Sequence, residues 1–240
     1  MAVLPPGVTL SAFDSSEDLL AGAAAHVAAK LDGARAVALT GGNTAKALYG
    51  HLARHPRAGV WRGIHWFWGD DRFVPADHPD SNAGMTRKAL GAILGAGQVH
   101  AVPTDSPSAD AAAQAYARTL KTFYGADTLQ AKRPLFDLVL LVPGPDGHIA
   151  SLLPGSAALD QQEAWTASVQ GRDHARVTLT LPVLQSAREV VMIAGGENRR
   201  AALDGWFAGD ASLPMTAFKP ACGIRLFADE AALGQPVPVN

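Results

Sequence analysis

Residues 136–156 read FDLVLLVPGPDGHIASLLPGS, and this stretch decides the fold class. The continuous apolar run from Phe136 to Val142 predicts a strand that is buried on both faces of a parallel sheet. Pro143-Gly144-Pro145 must end that strand, because proline cannot donate to a hydrogen-bond ladder. Asp146-Gly147-His148 then follows at the carboxyl end of the strand, where open α/β sheets bind their ligands.

The imidazole of His148 suits general-base catalysis, because it titrates near neutral pH and lies two residues from the carboxylate of Asp146. The same triplet is also compatible with an ordinary turn, in which Asp146 caps the next segment and His148 is a polar surface residue. Spacing alone leaves both interpretations open, although binding residues favour loops at this edge of a sheet.

Composition limits the class of protein. The chain has 240 residues, of which 48% are hydrophobic and 18% charged, so it can bury a large core. We expect one domain over residues 1–240, since no repeat, low-complexity block or linker interrupts the pattern. The formal net charge of −2 argues against nucleic acid or a membrane surface as a partner. An anionic ligand would therefore need a local cluster of Arg or Lys.

The cysteine content and the N-terminus indicate the cellular compartment. Cys222 is the only cysteine, which excludes an intrachain disulfide and fits a reducing environment. The first ten residues lack the features of a signal peptide, and no uncharged apolar run approaches transmembrane length. These features predict a cytoplasmic protein.

Strand and helix patterns alternate along the chain. Strands are predicted over residues 8–13, 34–39, 64–68, 100–102, 136–142, 164–169, 176–181, 189–194 and 222–227. Helical patterns follow most of them, and this βα alternation predicts a largely parallel sheet. Cys222 is expected to pack within the last strand, since no neighbouring base would activate its thiol.

The second predicted strand ends in the glycine-rich turn Thr40-Gly41-Gly42-Asn43-Thr44, and a helix follows. Strand, glycine-rich turn and helix together point backbone N–H groups and the positive end of a helix dipole at an anion. The spacing is neither that of a Walker A loop nor GxGxxG, and a tight turn without a ligand is the alternative.

Several such loops occur in a characteristic order: TGGNT at 40–44, GDDRFVP at 69–75 with DSN at 80–82, GPDGH at 144–148, RVTLT at 176–180 and GENR at 196–199. This series closely resembles the 6-phosphogluconolactonase family, within the superfamily that also holds glucosamine-6-phosphate deaminase. The resemblance covers nearly the whole chain. It implies a three-layer Rossmann-like α/β sandwich with a mainly parallel sheet, similar to the glucosamine-6-phosphate deaminase fold.

The resemblance also implies an activity, the hydrolysis of 6-phospho-D-glucono-1,5-lactone to 6-phospho-D-gluconate in the oxidative pentose phosphate pathway. The expected partner is thus a phosphorylated sugar lactone, and no metal or organic cofactor is expected. We expect a monomer or a weak homodimer. The alternatives are a deaminase-like enzyme and a non-catalytic sugar-phosphate-binding protein.

The resemblance assigns roles to individual residues. His148 is expected to take a proton from the attacking water, while Asp146 or Asp70 orients the imidazole. Amides of the loop 144–147 are expected to hold the oxyanion. The residues expected to bind the substrate and its phosphate are Gly41, Gly42, Asn43, Thr44, Arg72, Arg176 and Arg199. For Arg72, a salt bridge with Asp70 or Asp71 is an equal alternative.

The chain departs from the family pattern at several positions. Val142-Pro143 stands where the family usually has Gly followed by Met or Leu, and Pro143 removes a backbone donor. Arg199 replaces the lysine of a Gly-x-x-Lys phosphate motif, which keeps the charge but changes its geometry. Leu153 stands where related deaminases carry a carboxylate that moves protons, so the lactonase interpretation is favoured.

Histidine spacing does not predict a metal site. His51 and His55 have the i, i+4 spacing that can bind zinc, but no third ligand is apparent near them. An exposed helix end is the simpler explanation for this pair.

Overall fold

The computed structural model describes residues 3–57, 61–95 and 97–234. Within these residues the strands are β1 (Val8–Phe13), β2 (Ala36–Leu39), β3 (His65–Trp68), β4 (Asp70–Arg72), β5 (Gln98–His100), β6 (Leu138–Leu141), β7 (Thr166–Gln170), β8 (Ala175–Leu179), β9 (Val190–Ala194) and β10 (Ile224–Asp229). The helices are α1 (Ser16–Leu31), α2 (Asn43–Ala53), α3 (Asn82–Leu90), α4 (Ala92–Gly95), α5 (Ala109–Tyr124), α6 (Leu181–Gln185), α7 (Arg200–Phe207), α8 (Pro214–Ala217) and α9 (Glu230–Leu233). Short 3₁₀ turns cover Ala157–Asp160 and Glu197–Arg199.

The central sheet is parallel and has the order β1-β10-β9-β6-β2-β3-β5. Its inner strands β2, β6 and β9 are buried at every position, as expected for strands covered on both faces. From β2 the chain moves outward to β3 and β5, and from β6 it moves outward in the opposite direction to β9 and β10. The winding therefore reverses between β2 and β6, and open α/β sheets bind ligands at such a switch point.

Two hydrophobic cores lie on opposite faces of this sheet. Strand β2 shows the separation, because Val37 and Leu39 belong to the core beneath α1, α2 and α3, whereas Ala36 and Ala38 belong to the other. Helices α5, α6 and α7 contribute to that second core. Helices thus cover both faces, and the predicted three-layer Rossmann-like α/β sandwich with a mainly parallel sheet is confirmed.

Serine side chains begin three of the longer helices. Ser15, Ser81 and Ser108 each accept a hydrogen bond from the backbone N–H three residues later, at 3.1, 3.0 and 3.1 Å. These N-caps satisfy amides that the first turn leaves unpaired. Helix α2 differs, because its N-cap is Gly42 and no side chain caps it. Its first turn lies at the switch point, directly after β2.

Two buried tyrosines hold the ends of β2 and β3. The Tyr49 hydroxyl accepts a hydrogen bond from the Thr40 amide at 3.0 Å and donates one to the Thr40 carbonyl at 2.8 Å. The Tyr116 hydroxyl does the same at Trp68, at 2.8 and 2.9 Å. These hydroxyls satisfy backbone groups where the strands end, so the loops that follow both strands start from fixed points.

A smaller antiparallel sheet, in the order β4-β8-β7, lies apart from the parallel one. The sequence patterns predict its two longer strands but treat residues 69–75 as a loop, because β4 is short and polar. In this sheet Arg72 lies directly opposite Arg176. The β4–β8 pairing thereby brings together Arg72 and Arg176, which are 104 positions apart in the chain.

Most predicted elements are confirmed with shifts of one to three residues at their ends. The prediction for Cys222 is wrong, because β10 starts at Ile224 and the Cys222 side chain is exposed in the turn before it. Among the described residues, no helix is long and apolar enough to cross a membrane.

Candidate active site

A cavity of about 320 Å³ lies at the switch point between β2 and β6. It brings together most of the residues predicted from the sequence, namely Gly41, Gly42, Asn43, Thr44, Asp70, Arg72, His148, Arg176 and Arg199. Asp146 does not line the cavity itself but contacts His148, which does. The structure also adds lining residues that were not predicted, among them Asn82, Val142, Pro143, Ala150 and Asn198.

His148 and Asp146 form a hydrogen-bonded pair. The imidazole Nδ1 lies 2.5 Å from Asp146 Oδ1, and the backbone N–H of His148 donates to the same oxygen at 3.3 Å. Partial burial acts to raise the pKa of Asp146, but the charge and hydrogen bonds of His148 outweigh it and lower that pKa. An ionised Asp146 fixes the proton of the imidazole on Nδ1, which leaves Nε2 as the basic nitrogen.

Gly144 makes room for this pair. A Cβ at residue 144 would overlap the His148 ring and lie 2.7 Å from Asp146 Oδ1, so a larger residue would displace the imidazole. The loop is closed by two backbone hydrogen bonds, from Gly144 N–H to the His148 carbonyl at 2.8 Å and from Gly147 N–H to the Gly144 carbonyl at 3.1 Å. The ring is therefore held by a rigid turn.

The same bonds correct one prediction. The amides of the loop 144–147 were expected to hold the oxyanion, but Gly144 and Gly147 donate within the loop and Pro145 has no N–H. The prediction is therefore contradicted for three of the four residues, because the turn uses the N–H groups of Gly144 and Gly147 and Pro145 has none.

Asp70 does not contact the imidazole. Its carboxylate accepts a hydrogen bond from Ser151 Oγ at 2.6 Å and one from Asn82 Nδ2 at 3.3 Å. Asn82 Nδ2 also donates to the Asp70 carbonyl at 3.0 Å. Of the two carboxylates considered for orienting His148, the geometry therefore selects Asp146, while Asp70 belongs to a buried polar network on the opposite wall.

Ala150 separates these two walls in an unusual backbone conformation. It lines the cavity and has a φ of 49°, a left-handed value that is uncommon for a residue other than glycine. Such strain concentrates at functional sites, where the surrounding structure fixes it. Here the turn directs His148 to one wall and Ser151 to the other.

Asp71 anchors the start of α3 beneath the cavity. Its carboxylate accepts hydrogen bonds from the amides of Arg72, Asn82 and Ala83 at 2.8, 2.6 and 2.9 Å. Burial nevertheless dominates over these bonds and raises the pKa of Asp71 to about 6. The Asp71 carboxylate is therefore expected to take up a proton at a pH just below neutral.

Arg72 and Arg176 lie side by side across the β4–β8 pair. Arg72 Nη1 donates to Asn82 Oδ1 and, at 3.3 Å, to the Asp80 carbonyl, so the guanidinium does not form the alternative salt bridge with Asp70 or Asp71. Arg176 Nη1 lies 3.5 Å from Ser151 Oγ, and its buried Nε has no hydrogen-bond partner among the described residues. The guanidinium groups of Arg72 and Arg176 thus line the same side of the cavity, and both have N–H groups that could bind a ligand.

Arg199 approaches from the 3₁₀ turn after β9. Burial lowers the pKa of its guanidinium, and the nearby Asp146 carboxylate acts in the opposite direction. Its Nε is also buried without a partner in the described part of the chain. An unpaired buried donor is costly, so a ligand anion that accepted this bond would be stabilised.

Gly41 and Gly42 place the start of α2 in the same cavity. A Cβ at residue 41 would overlap the Asn82 side chain, so this position needs glycine. Gly42 has a φ of 93°, which other residues rarely adopt. The uncapped first turn of α2 then offers backbone N–H groups and the positive end of the helix dipole to an anion.

Asn82 is a functional candidate that the sequence indicates only as part of the DSN motif at residues 80–82. It joins Arg72 to Asp70 and packs against Gly41, so it connects three predicted site residues. The DSN motif at residues 80–82 indicated that this segment belongs to the site, but only the fold shows that the Asn82 side chain lines the cavity. Leu153, by contrast, packs partly buried against the core and supplies no carboxylate.

The comparisons with known proteins agree with this arrangement. Residues 14–227 match the family model described as glucosamine-6-phosphate isomerases/6-phosphogluconolactonase. The chain is 40% identical to a 6-phosphogluconolactonase of Synechocystis sp. over 73% of this chain and 72% of that protein. It is 36% identical to the 6-phosphogluconolactonase of Rattus norvegicus over 97% and 95% of the two chains.

A solved structure shows the same fold over nearly the whole chain. The 6-phosphogluconolactonase from Trypanosoma cruzi superposes with a TM-score of 0.82 at 25% sequence identity, covering 97% of each chain. The strand order, the cavity at the switch point and these similarities lead to one assignment. The chain belongs to the glucosamine-6-phosphate isomerase/6-phosphogluconolactonase family.

Proposed function

We propose that the protein hydrolyses 6-phospho-D-glucono-1,5-lactone to 6-phospho-D-gluconate in the oxidative pentose phosphate pathway. Relatives named 6-phosphogluconolactonase at 36% and 40% identity support this reaction. The observation that carries the proposal is the His148–Asp146 pair, which faces a cavity that also holds Arg72, Arg176 and Arg199.

In the proposed mechanism, His148 acts as the general base. Asp146 accepts a hydrogen bond from the Nδ1–H of His148, so Nε2 can remove a proton from a water molecule as its oxygen attacks the lactone carbonyl carbon. The tetrahedral intermediate then collapses, and the bond from the former carbonyl carbon to the ring oxygen breaks. The imidazolium returns its proton to that oxygen, which becomes a hydroxyl group of the product, so His148 ends the cycle neutral.

The phosphate is proposed to bind between the first turn of α2 and the arginines. Gly41, Gly42, Asn43 and Thr44 supply backbone donors at the positive end of the helix. Arg199 and Arg176 each bring a guanidinium whose buried Nε has no partner in the described residues. Two guanidinium groups and a helix terminus together match the charge and the several acceptor oxygens of a phosphate dianion.

Further proposals concern the protein as a whole. We propose that residues 1–240 form one domain that acts in the cytoplasm as a monomer or weak homodimer, without a catalytic metal or organic cofactor. Both sheets share residues with one core, which supports a single domain. The single cysteine fits a reducing compartment.

A direct assay tests the proposed function. The purified protein should accelerate opening of freshly generated 6-phospho-D-glucono-1,5-lactone well above the spontaneous rate, measured as acid release at constant pH. Unphosphorylated glucono-1,5-lactone should be a poor substrate. Ammonia release from glucosamine 6-phosphate, without lactone hydrolysis, would instead establish the deaminase alternative.

A further inference from the structure

A cluster of three metal-ligating side chains lies outside the cavity. His78, Asp80 and His174 each place one ligand atom within 4.8 Å of the other two. His174 Nε2 lies 3.0 Å from Asp80 Oδ2, and His78 Nδ1 lies 3.9 Å from the same oxygen. The two imidazole rings meet edge to face, with centroids 5.4 Å apart. All three side chains are accessible to solvent without being fully exposed.

The donor set matches one class of ion. Two imidazole nitrogens and one carboxylate oxygen suit Zn²⁺ and neighbouring divalent transition metals, whereas Mg²⁺ and Ca²⁺ prefer oxygen ligands alone. Ligand atoms around a tetrahedral ion at about 2.0–2.2 Å lie somewhat over 3 Å from one another. Small side-chain rotations would therefore close the cluster around an ion, with His78 Nδ1 exchanging the hydrogen bond that it accepts from the Asp80 N–H at 3.1 Å for the ion.

The backbone holds the three residues in place. His78 and Asp80 lie on the loop between β4 and α3, and His174 lies on the turn between β7 and β8. Both segments extend from the end of the β4–β8 pair, where Phe73 N–H donates to the Ala175 carbonyl at 2.7 Å. Arg72 Nη1 donates to the Asp80 carbonyl at 3.3 Å, and the Asp80 carboxylate lies 3.0 Å from His174 Nε2.

We propose that His78, Asp80 and His174 form a binding site for one divalent transition-metal ion of the Zn²⁺ class. A bound ion would join the β4–α3 loop to the β7–β8 turn, and so clamp the segments that follow Arg72 and precede Arg176. The ion would have a structural role at the rim of the cavity. This proposal does not depend on the lactonase reaction, and His174 lies 94 residues from Asp80, beyond what sequence spacing can reveal.

Calorimetric titration of the metal-free full chain with Zn²⁺ tests the site. We expect one equivalent to bind and the melting temperature to rise. His78→Ala and His174→Ala should each weaken Zn²⁺ binding by more than about 100-fold. Loss of a residue that only hydrogen-bonds a metal ligand typically costs about 10–100-fold, and loss of a ligand itself should cost more. The double variant His51→Ala/His55→Ala is the matched control and should bind like the wild type. Circular dichroism verifies that each variant folds.

Three outcomes would overturn the site. One is the absence of Zn²⁺ binding to the wild type in the micromolar range. Another is full binding by His174→Ala together with loss of binding in His148→Ala, which would place the ion in the cavity. The third is a thiolate charge-transfer band in the Co²⁺ spectrum, since only Cys222 could cause it. The Co²⁺ protein should show the visible bands of a nitrogen- and oxygen-ligated ion, and His174→Ala should lose them.

Discussion

The two walls of the cavity are built in different ways. On one wall, His148 and Asp146 are two residues apart, belong to a single turn, and retain 26% and 51% of their side-chain exposure. On the other wall, Asp70 and Ser151 are 81 residues apart and almost fully buried, and Asn82 joins them to Arg72. One wall is a local motif, and the other is a network assembled by the fold.

This difference indicates a division of labour. A base that exchanges protons with water benefits from partial exposure and needs only one fixed partner. Arginines that hold an anion benefit from partial burial, as at Arg176 and Arg199, because electrostatic attraction is stronger where water is excluded. We therefore expect changes at His148 to alter kcat, and changes among the arginines to alter KM.

The largest expected effect is on kcat and comes from the wall that carries His148 and Asp146. His148→Ala should lower kcat by on the order of 10²- to 10⁴-fold, the usual contribution of a general base, with little change in KM. Initial rates corrected for spontaneous lactone hydrolysis measure this loss. A His148→Ala protein with wild-type kcat would remove the imidazole from the mechanism.

The next effect tests whether the turn, and not only the imidazole, is needed. In Gly144→Ala the new Cβ would overlap the His148 ring, and a displacement near 1 Å can cost about 10²-fold in rate. We expect kcat to fall accordingly while the melting temperature stays close to that of the wild type. Gly95→Ala is the matched control, because a Cβ there meets nothing within 4 Å. Equal activity of the two variants would contradict the role of the turn.

Among the arginines, Arg199→Ala should raise KM for the phosphorylated lactone by roughly 10- to 100-fold, the effect of losing one charge-assisted contact. Arg199→Lys should cause a small loss only, because it keeps the charge and the family pattern has lysine at this position. Steady-state kinetics of the two variants measure both effects. A KM in Arg199→Ala like that of the wild type would move the phosphate elsewhere.

The last effect is on stability, not on activity, and comes from Asp71. Its pKa in the folded protein, about 6, exceeds the reference value of 3.8, so the folded state binds more protons than the unfolded state between these values. The contribution is therefore present at low pH and is lost as the pH rises through 6. Relative to Asp71→Asn, the wild type should gain about 2 kcal/mol in free energy of unfolding as pH falls from 7 to 4.

Urea denaturation at several pH values gives this difference, with the exposed Asp204→Asn variant as the control for removing a charge. A difference between the wild type and Asp71→Asn that does not change with pH would show that the burial of Asp71 is offset by its three amide donors.

The sequence predicts the first wall far better than the second. The apolar run before Pro143 and the short spacing of Asp146 and His148 are local signals, and both place the pair at the end of a central strand. The buried network has no comparable signal, because β4 is three residues long and polar and its partners are distant in the chain. Sequence therefore identifies Asp70 as a site residue but not its contacts with Ser151 and Asn82.

Two predictions fail, the first of them in part, for reasons of local geometry. The loop 144–147 has the composition of an anion-binding turn, yet it consumes the Gly144 and Gly147 amides in its own hydrogen bonds. Cys222 precedes an apolar run, but the strand begins at Ile224, so the thiol faces solvent. In both cases the residue types are compatible with the prediction, and the path of the backbone determines whether an amide is free or a side chain is buried.

The central claim is that the His148–Asp146 pair performs the chemistry and the arginines recognise the phosphate. The most direct test measures kcat/KM of His148→Ala and Arg199→Ala on 6-phospho-D-glucono-1,5-lactone and on unphosphorylated glucono-1,5-lactone. We predict that His148→Ala loses the same factor on both lactones, whereas Arg199→Ala loses activity only on the phosphorylated one. Equal losses on both lactones in Arg199→Ala would contradict the account, because Arg199 would then serve the reaction or the fold and not the phosphate.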